Sequence, residues 1–136
     1  MATNSSETVE FLIMNGIHVV EARRRGLEMA MAMGFVQPEA IKIAVVISEL
    51  ARNIHNYAGM GYITLTRQTD PQAYLEIVAQ DAGPGIPNIN KAMQHGYSTS
   101  RGMGVGLPGC KQLMDEFEIH SRVGLGTTVK ARKWLR

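Results

Sequence analysis

The chain has 136 residues, the size of one domain with a single hydrophobic core. Apolar residues make up 45% of it and charged residues 19%, which excludes an intrinsically disordered protein. The net charge of +2 is too small to indicate a nucleic-acid-binding protein. A single cysteine excludes an internal disulfide, and neither a signal peptide nor an apolar run of membrane-spanning length is present. We therefore expect one cytoplasmic domain that binds neither nucleic acid nor membranes.

The first half of the chain predicts a strand followed by two helices. Residues 9–14 form a short apolar run that Asn15 and Gly16 end, as is typical of a strand. Helical spacing over residues 17–33 predicts the first helix, with Gly34 at its end. Pro38 in a first turn predicts a second helix through residue 54, which Gly59 and Gly61 end. This second helix is apolar nearly all round, so we expect it to lie against a sheet.

The second half predicts two hairpins separated by a long irregular segment and a helix. Residues 61–67 and 73–80 alternate as strands do, with turn residues between them. Residues 81–101 are rich in glycine, proline and polar side chains and predict a functional lid. A helix over 105–114 and a hairpin of 117–122 with 127–134 complete the chain. This order predicts an α+β fold, with a mixed, mainly antiparallel sheet and helices on one face.

Glu49 and Asn53 are four residues apart in the second predicted helix, so their side chains share one helix face. A carboxylate inside an apolar helix requires an explanation. In one interpretation Glu49 acts as a base and the side-chain carbonyl of Asn53 is an oxygen ligand for Mg²⁺. In the other, Glu49, Arg52 and Asn53 form a solvated polar patch at the helix end. Both interpretations fit the pair.

Asp81 follows directly on a predicted strand and opens the segment Asp-Ala-Gly-Pro-Gly-Ile at residues 81–86. A carboxylate at a strand end can lie at the edge of a pocket and accept a hydrogen bond from an exocyclic amino group such as that of adenine. Glycine at positions 83 and 85 would let the backbone approach a flat ring. The alternative is an Asx turn closed by glycine and proline.

Residues 102–107, Gly-Met-Gly-Val-Gly-Leu, precede the last predicted helix. Backbone N–H groups at the positive end of a helix favour an anion such as phosphate, and Arg101 would add a positive charge there. The alternative is a loop that its glycines make mobile. Two other nucleotide motifs are excluded, because no strand precedes the Gly-x-Gly-x-x-Gly match at 104–109 and Cys110 replaces the lysine of a P-loop.

Four segments in order resemble the N, G1, G2 and terminal Gly-Thr boxes of the GHKL ATPases. They are Glu49 with Asn53, residues 81–86, residues 102–107 and residues 126–128. This family includes gyrase B, heat-shock protein 90, histidine kinases and MutL. The resemblance covers residues 9–134 and implies one ATP-binding domain over 1–136, with the two-layer α/β sandwich called the Bergerat fold.

The resemblance also implies a role for each matching residue. Glu49 would be the base that orients the substrate hydroxyl, and Asn53 the Mg²⁺ ligand. Asp81 would contact adenine, and Arg101 a terminal phosphate. The other binding residues would form the turn beneath the base, the phosphate cradle and the adenine side of the pocket: Gly83, Gly85, Ile86, Gly102, Met103, Gly104, Val105, Gly106, Leu107, and Thr127 or Thr128.

A stand-alone domain of this length is similar to the anti-sigma-factor type serine/threonine kinases of bacterial partner-switching systems. Four segments resemble most closely the RsbT-type switch kinases of the stressosome: residues 48–54, 81–86, 96–107 and 114–121. The resemblance implies that the protein phosphorylates STAS-domain scaffold or antagonist proteins and, when released, activates a PP2C-type phosphatase regulator in a stress response. The alternative is an anti-sigma factor, or a non-catalytic binding module that uses ATP only to order its lid.

Overall fold

A computed structural model describes residues 6–94 and 106–136 of the chain. All the predicted strands and helices are present in it, together with one short helix that the sequence did not predict. The elements are β1 (Ser6–Ile13), α1 (Gly16–Met33), α2 (Gln37–Asn53), β2 (Gly61–Gln68), β3 (Tyr74–Asp81), α3 (Ile89–Ala92), α4 (Gly106–Leu113), β4 (Glu116–Arg122) and β5 (Gly126–Trp134).

The five strands form one sheet in the order β1-β2-β3-β5-β4. Every pair of neighbours in this sheet is antiparallel. The sequence predicted a mixed, mainly antiparallel sheet, because the last two strands follow a helix and do not alternate with helices. Strands β3 and β4 do point the same way, but β5 lies between them and pairs with both. The predicted α+β class is therefore confirmed, with a sheet that is antiparallel throughout the described strands.

One face of the sheet carries the hydrophobic core. Alternate residues of the central strands are fully buried, among them Ile63 and Leu65 in β2 and Leu75 and Ile77 in β3. They pack beneath α2, in which nine residues from Ala40 to Ala51 are buried. Each large aliphatic side chain buried in this way stabilises the fold by about 1.5–3 kcal/mol. The burial confirms that α2 lies against the sheet.

The bounds of the two long helices agree with the prediction to within one residue. Asn15 caps α1, since its side chain accepts a hydrogen bond from the backbone N–H of His18 at 3.0 Å. Gly34 ends α1, and Pro38 lies in the first turn of α2. No helix in the described ranges has the length and hydropathy needed to cross a bilayer.

A buried lysine connects three elements near the start of α2. Lys133 of β5 is 6% exposed. Its Nζ donates to the carbonyl oxygen of Leu113 at 2.8 Å, at the end of α4, and lies 3.1 Å from a carboxylate oxygen of Glu39 in the first turn of α2. Lys42 also pairs with Glu39, at 2.9 Å. This cluster holds α4 and α2 against the sheet at one end of the molecule.

Two local features differ from the sequence prediction. The second helix ends at Gly59 as predicted, but its last turn, Ile54–Ala58, is π-helical, which the sequence did not predict. The segment predicted as an irregular lid is irregular over residues 82–88 and then forms the short helix α3, capped by Asn88. π-helical turns such as Ile54–Ala58 are frequent at functional sites.

Candidate active site

A cavity of about 490 Å³ lies between the end of α2, the π-helical turn, β3 with β5, and the segment that follows β3. This volume falls within the usual range for small-molecule sites. Six of the residues predicted from the sequence line it: Asn53, Asp81, Gly85, Ile86, Leu107 and Thr127. The fold therefore brings together residues that are separated by up to 74 positions in the chain.

Asp81 and Thr127 are direct register partners at the end of β3 and the start of β5. Their side chains lie on the same face of the sheet because partners in an antiparallel pair point the same way. Gly126 allows this approach, since it has φ of +125° and a Cβ atom there would overlap the carbonyl group of Asp81. Thr128 pairs with Gln80 one residue further along, and it lines a second cavity of about 400 Å³. Thr127, not Thr128, is the threonine that lines the main cavity.

The carboxylate of Asp81 forms a turn and still faces the cavity. Its Oδ1 accepts a hydrogen bond from the backbone N–H of Gly83 at 2.9 Å, which is the Asx turn that the sequence analysis considered as an alternative. A carboxylate has two oxygens, so the turn leaves Oδ2 able to accept from a ligand. The two interpretations of Asp81 are therefore compatible.

Ser121 of β4 is a residue of this site that the sequence analysis missed. Its Oγ lies 2.7 Å from the backbone nitrogen of Ile86, 3.1 Å from the carbonyl oxygen of Gly126 and 2.8 Å from Oγ1 of Thr127. It thereby links the segment after β3 to the start of β5. The sequence could have indicated it, because Ser121 is a polar residue at the same alternate positions of β4 as the half-buried Phe117 and Ile119.

The turn between β4 and β5 is held close to the cavity wall by Gly85. This glycine has φ of +79°, and a Cβ atom on it would overlap the carbonyl group of Arg122. The backbone N–H of Gly124 also donates to the carbonyl of Pro84 at 2.9 Å. These contacts fix the wall of the cavity that residues 84–87 form.

Glu49 is buried one helical turn before Asn53. It is 5% exposed, so the interpretation that Glu49 belongs to a solvated polar patch at the helix end is wrong. Arg52 lies 3.9 Å from Glu49 and donates to Oγ of Ser48 at 3.0 Å. Asn53 is half-buried and lines the cavity, whereas Glu49 does not line it.

Glu49 also lies close enough to α4 to influence Cys110. Burial raises the pKa of the Cys110 thiol to about 12, and the charge of Glu49 contributes to the rise while Arg52 opposes it. The carboxylate of Glu49 is therefore close to α4, the helix that follows the predicted phosphate-binding segment.

The residues present fit a magnesium ion that a nucleotide helps to hold. Within residues 6–94 and 106–136, no group of three His, Cys, Asp or Glu side chains could hold a metal on its own. Asn53 offers one hard oxygen ligand at the cavity. Mg²⁺ usually keeps several waters and binds through one or two side chains plus phosphate oxygens, so a single ligand of this kind suits it.

Only part of the predicted phosphate-binding segment can be placed. Gly106 and Leu107 begin the described part of α4, and Leu107 lines the cavity. Arg101, Gly102, Met103, Gly104 and Val105 lie outside the described residues. Gly83 forms the Asx turn with Asp81 but does not line the cavity.

Apolar residues that the sequence analysis did not select form most of the remaining wall. Ala79 and Val129 occupy inward positions of β3 and β5, as strand alternation would have indicated. Tyr57 and Ala58 come from the π-helical turn, which no sequence signal predicted. The others are Leu50, Ile54, Pro84, Pro87 and Ala92. A largely apolar cleft with a few polar groups suits a flat aromatic ring.

Comparison with known proteins agrees with this geometry. Residues 39–136 match the family described as histidine kinase-, DNA gyrase B- and HSP90-like ATPase. The chain is 49% identical over 125 residues to the serine/threonine-protein kinase RsbT of Bacillus subtilis, covering 91% of this chain and 94% of that protein. It is 34% identical over 106 residues to the anti-sigma F factor of Priestia megaterium, covering 71% of each.

Two solved structures share the fold at low sequence identity. The RsbU and RsbW domains of a Mycobacterium tuberculosis protein match with a TM-score of 0.61 and 17% identity, over 93% of this chain and 31% of that longer one. A histidine kinase domain from Erythrobacter litoralis matches with a TM-score of 0.54 and 19% identity, over 98% and 65%. The predicted family is thus confirmed: the chain belongs to the histidine kinase-, DNA gyrase B- and HSP90-like ATPases and, within them, to the family of the serine/threonine-protein kinase RsbT.

Proposed function

We propose that this protein is an ATP-dependent serine/threonine kinase of a bacterial partner-switching pathway. The observation that carries the proposal is the cavity itself. It places the Asp81–Thr127 pair and Asn53 around one apolar cleft, with Glu49 one helical turn away. This arrangement occurs in a chain that is 49% identical to a serine/threonine-protein kinase.

The sheet end of the cavity would bind the adenine ring. Asp81 would accept a hydrogen bond from the exocyclic amino group through Oδ2, while its other oxygen keeps the Asx turn closed. Ala79, Ile86 and Val129 would pack on the ring, since all three line the cavity. Thr127 would contact the same edge of the ring as Asp81.

The helical end of the cavity would carry the transfer chemistry. Glu49 would accept the proton of the attacking serine or threonine hydroxyl and orient its oxygen, a contribution of about 10²- to 10⁴-fold. The backbone N–H groups of Gly106 and Leu107 at the start of α4 would bind phosphate oxygens. Asn53 would hold Mg²⁺, which supplies positive charge at the phosphates when bound. We also propose that Arg101 and residues 102–105 complete the phosphate site.

The proposed substrates are STAS-domain scaffold or antagonist proteins, and the proposed partner after release is a PP2C-type phosphatase regulator. Both follow from the resemblance to RsbT-type kinases. The 34% identity to an anti-sigma F factor supports a second candidate, a protein that binds a sigma factor. Transfer of the γ-phosphate to a STAS-domain protein, against capture of a sigma factor, discriminates between the two.

The first experiment measures binding of ATP and ADP with Mg²⁺ by calorimetry in the parent and in Asp81→Asn. Asparagine keeps an oxygen for the Gly83 turn but replaces the other oxygen by an amino group, which cannot accept from adenine. We expect saturable binding in the parent and a loss of at least about tenfold in the variant, as for one buried hydrogen bond replaced by two facing donors.

Asp70→Asn provides a matched control, because Asp70 lies in the β2–β3 turn at the opposite end of that hairpin. It should bind ATP as the parent does. Equal affinity in Asp81→Asn and the parent would contradict the adenine assignment. An absence of ATP binding in the parent would contradict the proposed function as a whole.

A further inference from the structure

Arg52 follows Glu49 by three residues in α2, and the two side chains form an ion pair along the helix. The distance from Nη2 of Arg52 to Oε2 of Glu49 is 3.9 Å. The two partners differ in exposure, because 39% of the arginine side chain is exposed and only 6% of the glutamate side chain. The pair therefore joins a buried carboxylate to an arginine that solvent reaches in part.

Ser48 fixes the position of the Arg52 guanidinium group. Nη2 of Arg52 donates to Oγ of Ser48 at 3.0 Å, and Ser48 is itself buried one turn earlier in α2. Nε of Arg52 is also buried, and it makes no hydrogen bond within the part of the chain that the structure describes. A buried donor without a partner lowers stability, so stability alone does not account for an arginine at this position.

The ion pair lies where α2 meets α4. The charges of Glu49 and Arg52 both reach the thiol of Cys110 in α4, since the first raises its pKa and the second opposes the rise. Asn53, the residue after Arg52, lines the main cavity, whereas Arg52 does not line it. Arg52 is therefore placed to influence the reaction through Glu49 and not through a nucleotide in that cavity.

We propose that Arg52 is a positioning residue, which holds the carboxylate of Glu49 in the orientation that phosphoryl transfer requires. This inference rests on the proposed function, since it concerns the base of the same site. In the transfer, the acceptor hydroxyl oxygen bonds to the γ-phosphorus, the bond from that phosphorus to the β–γ bridging oxygen breaks so that ADP leaves, and Glu49 takes the hydroxyl proton. A glutamate side chain has several rotamers, and attraction to a fixed guanidinium group favours the rotamer in which Oε2 faces Arg52.

The first test measures transfer of γ-phosphate to a STAS-domain protein in Arg52→Ala, with ATP binding measured by calorimetry. A misplacement of about 1 Å can cost about 10²-fold, so we expect kcat to fall by about 10- to 10²-fold while the dissociation constant for ATP stays at the parent value. A raised KM for the STAS-domain protein with an unchanged kcat would mean that Arg52 contacts the acceptor protein, and it would overturn the inference.

Arg67→Ala is the matched control. Arg67 also lies 3.9 Å from a glutamate, Glu7, and 36% of its side chain is exposed. It belongs to β2, near the end of that strand opposite to the register partner of Asp81. Its partner is an exposed carboxylate, so Arg67→Ala should leave kcat unchanged. Equal losses of kcat in the two variants would contradict a specific role for Arg52.

The second test combines Arg52→Ala with Glu49→Gln. If Arg52 acts through the carboxylate, the double variant should transfer phosphate no more slowly than Glu49→Gln alone. A merely structural role of Arg52 predicts that the two losses multiply. Losses that multiply would therefore overturn the inference.

Guanidinium ion supplies a third readout, because the exposed part of the arginine side chain leaves an opening to solvent in Arg52→Ala. Guanidinium chloride, well below the molar concentrations that unfold proteins, should restore part of kcat in Arg52→Ala and none in Glu49→Gln. Sodium chloride at the same concentration controls for ionic strength. Equal recovery with either salt would count against the inference.

Ser48→Ala keeps the inference testable if Arg52→Ala folds poorly. It removes the oxygen that holds the guanidinium group and places a good helix former in α2. We expect kcat to fall by about threefold with unchanged ATP binding. A parent kcat in both Ser48→Ala and Arg52→Ala would overturn the inference and leave the kinase activity intact, whereas a parent that transfers no phosphate contradicts the proposed function.

Discussion

The two ends of α2 each carry a glutamate that is close to a basic side chain, and the two pairs differ. Glu39 lies in the first turn, a third of its side chain is exposed, and two lysines contact it at 2.9 and 3.1 Å. Glu49 lies near the last turn, is almost fully buried, and its distance to Arg52 is 3.9 Å. Both helix ends face the same sheet.

The two glutamates therefore receive different proposed roles, a structural role for Glu39 and a catalytic role for Glu49. Glu39 is held at hydrogen-bond distance by Lys42 and Lys133, and Lys133 also binds the end of α4, so this carboxylate connects elements of the fold. Glu49 is buried beside α4 and one turn from Asn53, which lines the cavity. Burying a carboxylate is costly, and a site that uses the group as a base accounts for that cost.

Replacing each glutamate by glutamine tests this comparison most strongly. We expect Glu49→Gln to bind ATP as the parent does and to lose phosphoryl transfer by about 10²- to 10⁴-fold, because glutamine cannot accept the hydroxyl proton. Glu39→Gln should keep the transfer rate and lower the stability instead. The measurement is transfer of labelled γ-phosphate to a STAS-domain protein, with ATP binding measured in parallel. Similar transfer rates in Glu49→Gln and Glu39→Gln would remove the functional distinction between the two ends.

Lys133→Met tests the structural end with a smaller expected effect. Methionine keeps the length of the side chain but leaves the carbonyl of Leu113 without this donor and Glu39 without one of its lysines. We expect a loss of about 1–3 kcal/mol in the free energy of unfolding by urea. The control is Lys130→Met in the same strand, since Lys130 is exposed and surface substitutions usually change stability by less than about 0.5 kcal/mol. Equal losses in the two variants would mean that the buried cluster contributes nothing specific.

Most of the fold could be predicted from the sequence because its elements obey local rules. The strand alternation in β2 and β3, the cap at Asn15 and the proline at the start of α2 each act over a few residues. The π-helical turn after α2 and the position of β5 between β3 and β4 could not be predicted, since they depend on how distant segments pack. The mixed sheet was expected because the sequence does not show that β5 inserts between β3 and β4.

The candidate site shows the same division. Glu49 and Asn53 are identifiable because they are polar residues in a helix that is otherwise apolar. Asp81 is identifiable because it is a carboxylate directly after a predicted strand. Ser121 ends the segment 114–121 that resembles RsbT-type kinases, but that segment assigns no role to it. Its hydrogen bonds join segments that are up to 35 residues apart, and only the fold shows them. The choice between Thr127 and Thr128 likewise required the strand register.

Mild acid should weaken the structural end first, and this is the smallest effect that we predict. Hydrogen bonds from Lys42 and Lys133 lower the pKa of Glu39 below its ordinary value of 4.5, against the effect of burial. A carboxyl group whose pKa is lower in the folded state contributes stability above the unfolded pKa and loses it as the pH falls through the folded pKa. The parent should therefore lose stability relative to Glu39→Gln as the pH falls below about 4.5. Urea unfolding of both proteins from pH 6 to pH 3 measures the difference in the free energy of unfolding. In Lys42→Met, Glu39 retains only the Lys133 contact, so the free energy of unfolding should change with pH by an intermediate amount. Parallel curves for the parent and Glu39→Gln would show that the lysines do not stabilise the ionised carboxylate.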